Sequence, residues 1–360
     1  MVIPSFYPIV GGAEKQLLGL SMKMIEIGQQ LDILTRYQHR NPRHEVINGC
    51  NVHRIGSSSR TISFLISLIL FILKNRKSYS IIHIHTLNSP AIILVTLGKI
   101  LGIKTIVKVT RSGKKTQLSR YRDSALGKYL FILLRKYTSR FIAITKDVHT
   151  ELSLMGVSSK KIAQIPNGVS LPVNSKKLYE VDQEINLVFI GRLIKRKRVD
   201  LLIEVFADIY LNKDINLFIA GTGPEEELLK DIAESAEIQN QATFMGEIKS
   251  QEVSKLLEST HIFILPSESE GMSNALLEAM SYSNVVIARN IEANQEIISD
   301  EMNGFLFENK DDLKDILLKL INSESLFNKV SVRGYQTIEE SFSFEKVSKQ
   351  YIDLYKEILN

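Results

Sequence analysis

The chain is 360 residues long and weighs 40.8 kDa, at roughly 150 residues per domain enough for two domains that each bury a core. A hydrophobic share of 44% against 24% charged excludes a disordered or fibrous chain, and the lone Cys50 excludes an internal disulfide and a Cys-based zinc site and points to a reducing compartment. The net charge of +5 hides an asymmetry: residues 1–180 hold 27 Lys and Arg against 8 Asp and Glu, and the second half holds 18 against 32. Either the basic half meets something anionic (nucleic acid, a phosphorylated substrate or an acidic membrane surface) or the two halves attract each other.

In chain order, the N-terminus lacks the basic and apolar regions of a signal peptide. The loop Gly11-Gly12 leads into a helical pattern. Two glycines let a backbone approach a ligand, and a helix N-terminus favours phosphate, although a plain turn reads equally well. Only about ten residues, including Pro4 and Pro8, precede the loop, so either the first strand is short or the start of the chain is missing. Strands are predicted at 31–35, 52–55, 81–85, 105–109 and 141–144 in the first half and at 186–190, 216–220, 243–245, 262–265 and 285–288 in the second, alternating with helical periodicity. This implies two α/β domains with parallel sheets. The longest apolar run, 62–73, falls short of the roughly 20 residues a membrane span needs and reads as a buried helix.

His83 and His85 alternate with isoleucines and share one face of a strand. They read as histidines at a strand end lining a cleft, since no third metal ligand is suggested by spacing. The run 104–122 carries Lys104, Lys108, Arg111, Lys114, Lys115, Arg120 and Arg122, which is either a solvated face or a surface for acceptor phosphates or anionic lipid heads. The turn Pro166-Asn167-Gly168 precedes a join expected at 171–184. In VDLLIEVFADIY, Val199, Leu202, Val205, Phe206 and Ile209 share a helical face, and the chain ends on an amphipathic helix over 342–359.

Two segments suggest chemistry. Arg192 lies just past a strand end, with Lys195, Arg196, Lys197 and Arg198 before the next helix. Basic side chains at the carboxyl edge of a parallel sheet face the usual ligand crevice, where Arg192 with Lys197 suits a diphosphate. The plainer reading is a solvated basic loop. Nucleic acid is disfavoured, because the surrounding half is acidic and no aromatic residues interleave the run. In the second segment, 265–280, Glu270 lies on a loop and Glu278 follows inside a helix. Between them Gly271, Met272, Ser273 and Asn274 present successive backbone N–H groups, which suits an anionic or hydroxyl-rich ligand. Helix capping plus a surface carboxylate is the alternative. The glycines of Gly221-Thr222-Gly223-Pro224 read as a strand-to-helix turn.

Taken together, GGAEK at 11–15, IIHIHT at 81–86, IPNGV at 165–169, FIGRLIKRKRVDLLIEVF at 189–206, FIAGTGP at 218–224, FMGE at 244–247, ESEGMSNALLEAM at 268–280, NGFLF at 303–307 and the tail at 341–359 resemble the retaining glycosyltransferases of family 4. The resemblance implies the GT-B fold: α/β, with two Rossmann-like parallel-sheet domains facing a central cleft. It implies an acceptor-binding domain over 1–172, a donor-binding domain over 183–342 and a terminal helix 343–360 packed back on the first. Glu270 and Glu278 match the family's paired-glutamate motif. By resemblance, Arg192 and Lys197 neutralise the donor diphosphate, and Glu278 binds the ribose hydroxyls. Glu270 contacts the transferred sugar, and Gly271, Met272, Ser273 and Asn274 hold sugar and phosphate. Gly11 and Gly12 close on the diphosphate. Arg111 stands where many members carry a histidine, and with His85 it is the acceptor-side candidate.

The expected activity is transfer of a sugar from a nucleotide-diphosphate sugar, UDP-linked, to a glycan or lipid-diphosphate-linked acceptor in surface polysaccharide synthesis. The expected setting is the cytoplasm, with contact at the inner face of an anionic membrane. No Asp-x-Asp motif is present and no metal or other cofactor is expected. A nucleotide-sugar epimerase of the same fold and a non-catalytic nucleotide-sugar-binding protein are the competing readings.

Overall fold

A computed structural model describes residues 1–8, 11–38, 41–59, 61–87, 89–112, 116–172, 179–180, 184–210 and 215–360. The chain divides into two compact units, Met1–Gly168 with Phe344–Asn360, and Val169–Ser343. The division falls ahead of the expected join, because Val169 already pairs with Ser343 inside the second unit. Residues 173–178 and 181–183 of that join lie outside the described residues.

The first unit contains β1 (Asp32–Arg36), β2 (His44–Ile47), β3 (Cys50–Ile55), β4 (Ile81–Ile84), β5 (Lys104–Val109), β6 (Arg140–Ala143) and β7 (Ile162–Gln164). They form two ladders, β1-β3-β2 and β4-β5-β6-β7, parallel except for the β2–β3 hairpin. Val2 joins them. It bridges Leu34 on one side and Ile84 on the other, its N–H donating to His83 O at 2.8 Å while its own carbonyl accepts from His85 N–H at 3.0 Å. The expected short first strand is thus reduced to a single bridging residue between the two ladders. Leu20 and Met24 of helix Gly12–Glu26 and Ile106 and Ile142 of the sheet pack against Val347, Tyr351, Leu354 and Ile358 of helix Phe344–Leu359. Gln16 clamps the PNG turn to this assembly, donating to Gly168 O at 2.7 Å and accepting from Gly168 N–H at 2.8 Å.

The second unit is one six-stranded sheet of β8 (Ile185–Ile190), β9 (Ile215–Ala220), β10 (Ala242–Gly246), β11 (Ile262–Leu265), β12 (Val285–Arg289) and β13 (Phe305–Phe307). All pairs are parallel and the order is β10-β9-β8-β11-β12-β13. Strand order therefore reverses between β8 and β11, the arrangement that opens a crevice at the carboxyl ends of those two strands. Val199, Leu202, Val205, Phe206 and Ile209 are all buried on helix Val199–Ile209.

Two expectations need correction. β2, β7 and β13 were not predicted. They span only three or four residues, no longer than β4, β6 and β11, and lie at sheet edges, so periodicity marks them weakly. The run 62–73 forms a helix, Thr61–Lys74, but only Phe64, Leu68 and Ile72 are buried on it. No helix among the described residues is long and apolar enough to cross a membrane.

The loops after β8 and β9 touch through backbone alone. Gly191 N–H donates to Ala220 O at 2.9 Å and Leu193 N–H to Thr222 O at 2.9 Å. Gly221 has φ +135°, and a Cβ there would lie 1.9 Å from Gly191 O. Gly221→Ala is expected to cost about 3 kcal/mol or more of stability from strain and collision together, read as a lower denaturant midpoint; an unchanged midpoint would refute this account.

Candidate active site

At the reversal between β8 and β11 the loops 191–198 and 266–273 are stitched together. Glu268 N–H donates to Arg196 O at 2.9 Å, and the Arg196 guanidinium donates to Ser269 O at 2.8 Å. Arg198 donates to Glu268 Oε1 at 3.1 Å and to both carboxylate oxygens of Asp200, at 3.0 and 3.1 Å. These bonds hold Arg198 in the left-handed region at φ 50°, uncommon for a side chain of its size. Within this frame Lys197 Nζ donates to Glu270 Oε1. The two side chains are 12% and 11% exposed, so both charges have lost most of their water. A largely desolvated pair attracts strongly but has surrendered hydration on both members, so its net stabilisation is small.

Arg192, just past β8, is exposed and makes no ion pair among the described residues. Gly271 is half-buried, whereas Met272 and Ser273 are buried. Ser273 caps helix Asn274–Ser281, its hydroxyl accepting from Leu276 N–H at 3.4 Å. Asn274 and Glu278 are four residues apart on that helix and so lie on one face, both half-buried. Of the two sequence readings, the capping one is observed at Ser273, which satisfies one donor of the first turn.

In the first unit, Gly11 is the N-cap of helix Gly12–Glu26 and supplies no side-chain cap. Ser5 Oγ donates to Glu14 Oε1, and a Cβ on Gly11 would sit 2.6 Å from Glu14 Oε2. The missing side chain thus makes room for a carboxylate over the helix's own positive end. Val10 lies outside the described residues.

His83 and His85 do not line an open cleft. Each is 2% exposed, and their rings stack with centroids 4.1 Å apart. His83 Nδ1 meets Tyr355 Oη at 2.7 Å, while the Nε2 atoms of both histidines find no hydrogen-bond partner among the described residues. The cause is the terminal helix, whose Tyr351 and Tyr355 lie against His83 at centroid distances of 5.3 and 6.0 Å. Lys108, also buried, points at Tyr351, its Nζ 5.9 Å from the ring centroid. Of the acceptor-side candidates, Arg111 presents an exposed side chain and His85 does not. Lys114 and Lys115 lie outside the described residues. Among the described residues no group of three or more His, Cys, Asp or Glu is placed to hold a metal ion.

The site lies in a chain with clear relatives. A model of the family described as Glycosyltransferase Family 4 matches residues 10–172, and one described as Glycosyl transferases group 1 matches 172–337. The chain belongs to glycosyltransferase family 4. An uncharacterized glycosyltransferase of Methanocaldococcus jannaschii is 23% identical, across 97% of this chain and 96% of that protein. The phosphatidylinositol N-acetylglucosaminyltransferase gpi3 subunit of Schizosaccharomyces pombe is 25% identical, across 99% of this chain and 80% of that protein. Among solved structures, Anabaena HepE in complex with UDP and glucose superposes with a TM-score of 0.79 at 15% identity, covering 99% of this chain and 98% of that one. The fold is GT-B, built of two Rossmann-like parallel-sheet domains.

In this glycosyltransferase the second unit gathers Lys197 and Glu270 into contact and sets Arg192, Gly271, Met272, Ser273, Asn274 and Glu278 on the adjoining loops and helix. Two side chains went unassigned in the sequence. Glu14 sits inside the GGAEK segment. Ser267 has a buried hydroxyl with no hydrogen-bond partner among the described residues. Lys108 corrects the reading of the basic run 104–122: expected on a solvated face or a phosphate-binding surface, it is buried on the inward face with Ile106 two residues earlier.

The buried cluster ties stability to pH. Burial, then Lys108, holds His83 well below the usual value of 6.5; burial, then His83 and Lys108, does the same to His85. Both therefore bind fewer protons folded than unfolded, so their share of stability is present above pH 6.5 and is lost as the pH falls below it. Burial lowers Lys108 from 10.5 to about 8, so its penalty is full below pH 8 and lifts between 8 and 10.5. Lys108→Met is expected to raise stability at neutral pH by about 1–3 kcal/mol, because a buried cation that makes no ion pair among the described residues is removed. Thermal denaturation at several pH values measures both effects, and a destabilised Lys108→Met would contradict them.

Proposed function

We propose that this glycosyltransferase takes a nucleotide-diphosphate sugar, UDP-linked, as donor. It passes the sugar with retention of configuration to a glycan or lipid-diphosphate-linked acceptor in surface polysaccharide synthesis, in the cytoplasm at the inner membrane face. The observation that carries the reading is the Lys197–Glu270 pair at the strand-order reversal, next to exposed Arg192. Such a donor is anionic at its diphosphate and hydroxyl-rich at its sugar. A cation and a carboxylate held together are suited to part around it, Lys197 joining Arg192 on the diphosphate and Glu270 accepting from sugar hydroxyls. Glu278 accepts from the ribose diol, and the backbone amides of Gly271, Met272, Ser273 and Asn274 bind phosphate and sugar. The UDP and glucose named with the Anabaena structure, and the phosphatidylinositol named for the yeast relative, support the donor and lipid-acceptor classes.

The bond between the sugar's anomeric carbon and the donor phosphate oxygen breaks, with its electron pair leaving on the diphosphate. The acceptor hydroxyl oxygen bonds to that carbon from the same face, and its proton passes to the departing phosphate oxygen. The protein's task is to stabilise the leaving charge and to hold the acceptor close. In this reading Glu270 is engaged by sugar hydroxyls once the donor is bound, so the route through the departing phosphate oxygen is preferred to a glycosyl ester on Glu270. Arg192, Lys197 and the N-terminus of helix Asn274–Ser281 supply the positive charge, so turnover is expected to persist in the presence of a chelator.

Glu270→Gln is expected to lower kcat about 100-fold or more by removing an interaction that strengthens in the transition state. Arg192→Ala is expected to weaken the UDP-induced thermal shift, with Kd rising about tenfold. A wild-type chain that gives no shift with UDP or a UDP-sugar, a product of inverted configuration, or a sugar–Glu270 ester trapped for mass spectrometry would each refute a named part of this reading.

A further inference from the structure

The helices covering one face of the first unit's sheet are apolar on both sides. Helix Thr61–Lys74 buries Phe64, Leu68 and Ile72 and leaves Ile62, Ile66, Leu70 and Leu73 exposed on the opposite side, Ile62 at 72% and Leu70 at 61%. Positions 62, 66, 70 and 73 form a single stripe along the helix. Between this helix and its neighbour Ser89–Leu101 runs a groove of about 300 Å³ lined by Ile69, Ile92, Ile93, Thr96, Leu97 and Ile100. Helix Ala125–Tyr137, packed on the far side of Ser89–Leu101, continues the surface with exposed Leu126, Tyr129 and Ile132. A soluble surface seldom concentrates so many large aliphatic side chains without an occupant.

The charge around this patch identifies the occupant's chemistry. Residues 46–146 hold 18 Lys and Arg and a single acidic residue, Asp123. Lys74, Arg76, Lys77, Lys99 and Lys128 are exposed and make no ion pair among the described residues. A second copy of this chain meeting face to face would set cation against cation. An anionic bilayer offers both an apolar interior for the stripe and negative headgroups for the lysines. A helix of 14 residues is about 21 Å long, too short to span the hydrocarbon core, but it suits the plane of the headgroups.

We infer that this helical face docks the first unit on an anionic lipid bilayer, with the Ile62, Ile66, Leu70 and Leu73 stripe dipping below the headgroups. The inference deepens the lipid-linked acceptor reading and rests on it for its biological sense, but its test is independent. The full-length chain is sedimented with vesicles of equal parts phosphatidylglycerol and phosphatidylcholine, and with phosphatidylcholine alone, at low and high salt. The wild type is expected to bind the anionic vesicles and to release them in high salt. The doubly substituted Ile66→Ser/Leu70→Ser and Lys74→Glu/Lys77→Glu chains are each expected to partition about tenfold or more weakly, with the UDP-induced thermal shift unchanged in both. Equal binding by wild type and variants, indifference of the wild type to anionic lipid, or a wild-type dimer that the apolar variant dissociates would overturn the inference. If vesicle binding fails while the UDP shift persists, the docking face alone is wrong; if the UDP shift fails while vesicle binding persists, the donor reading alone is wrong.

Discussion

Parallel pairing of β8 with β11 sets the carboxyl ends of two strands distant in sequence side by side, and the chemistry of the second unit depends on that juxtaposition. The loops that follow them carry opposite charges. Stripped of most of their water, Lys197 and Glu270 find each other, and the backbone bonds of Arg196 with Glu268 and Ser269 keep the two loops from drifting apart. The pair contributes little net stability, because its attraction is offset by lost hydration. Its value in the proposed reading is positional, since a cation and an acceptor are already held side by side for a donor with an anionic end and a hydroxylated end.

The surrounding frame is built without side chains where space is shortest. Gly191 and Gly221 let two loops pass at backbone contact, so the glycines of the GTGP segment serve packing. In the first unit Gly168 plays a comparable part, since a Cβ there would come within 2.4 Å of the Phe344 ring. The PNG turn and the FSF segment before the last helix are therefore two sides of one contact, although they are far apart along the chain.

The first unit carries its polar groups differently. The returning helix Phe344–Leu359 covers the face of β4 and β5 that holds His83, His85 and Lys108 and seals them under Tyr351 and Tyr355. Burial keeps the histidines neutral and weakens the hold of Lys108 on its proton. The same unit leaves apolar and basic side chains on its outer helical layer, so among the described residues the positive charge of the N-terminal half is divided between two buried cations, Arg54 and Lys108, and a wide exposed field.

Much of this was legible in the sequence. Strand–helix alternation, the position of ten strands and the glycine, arginine, lysine and paired-glutamate segments all follow from local chemistry, because side-chain periodicity and turn composition act over a few residues. The short edge strands β2, β7 and β13 did not register, and Val2 bridges two ladders only because neighbours on both sides supply its hydrogen bonds. Residue types alone could not say that Lys197 meets Glu270, that a histidine pair is sealed by a helix from the far end of the chain, or that the apolar run at 62–73 shows one of its faces to solvent. Each of those depends on which distant segment arrives as a neighbour. Sequence pattern determines what a segment can bury, and only the packed chain decides what covers it.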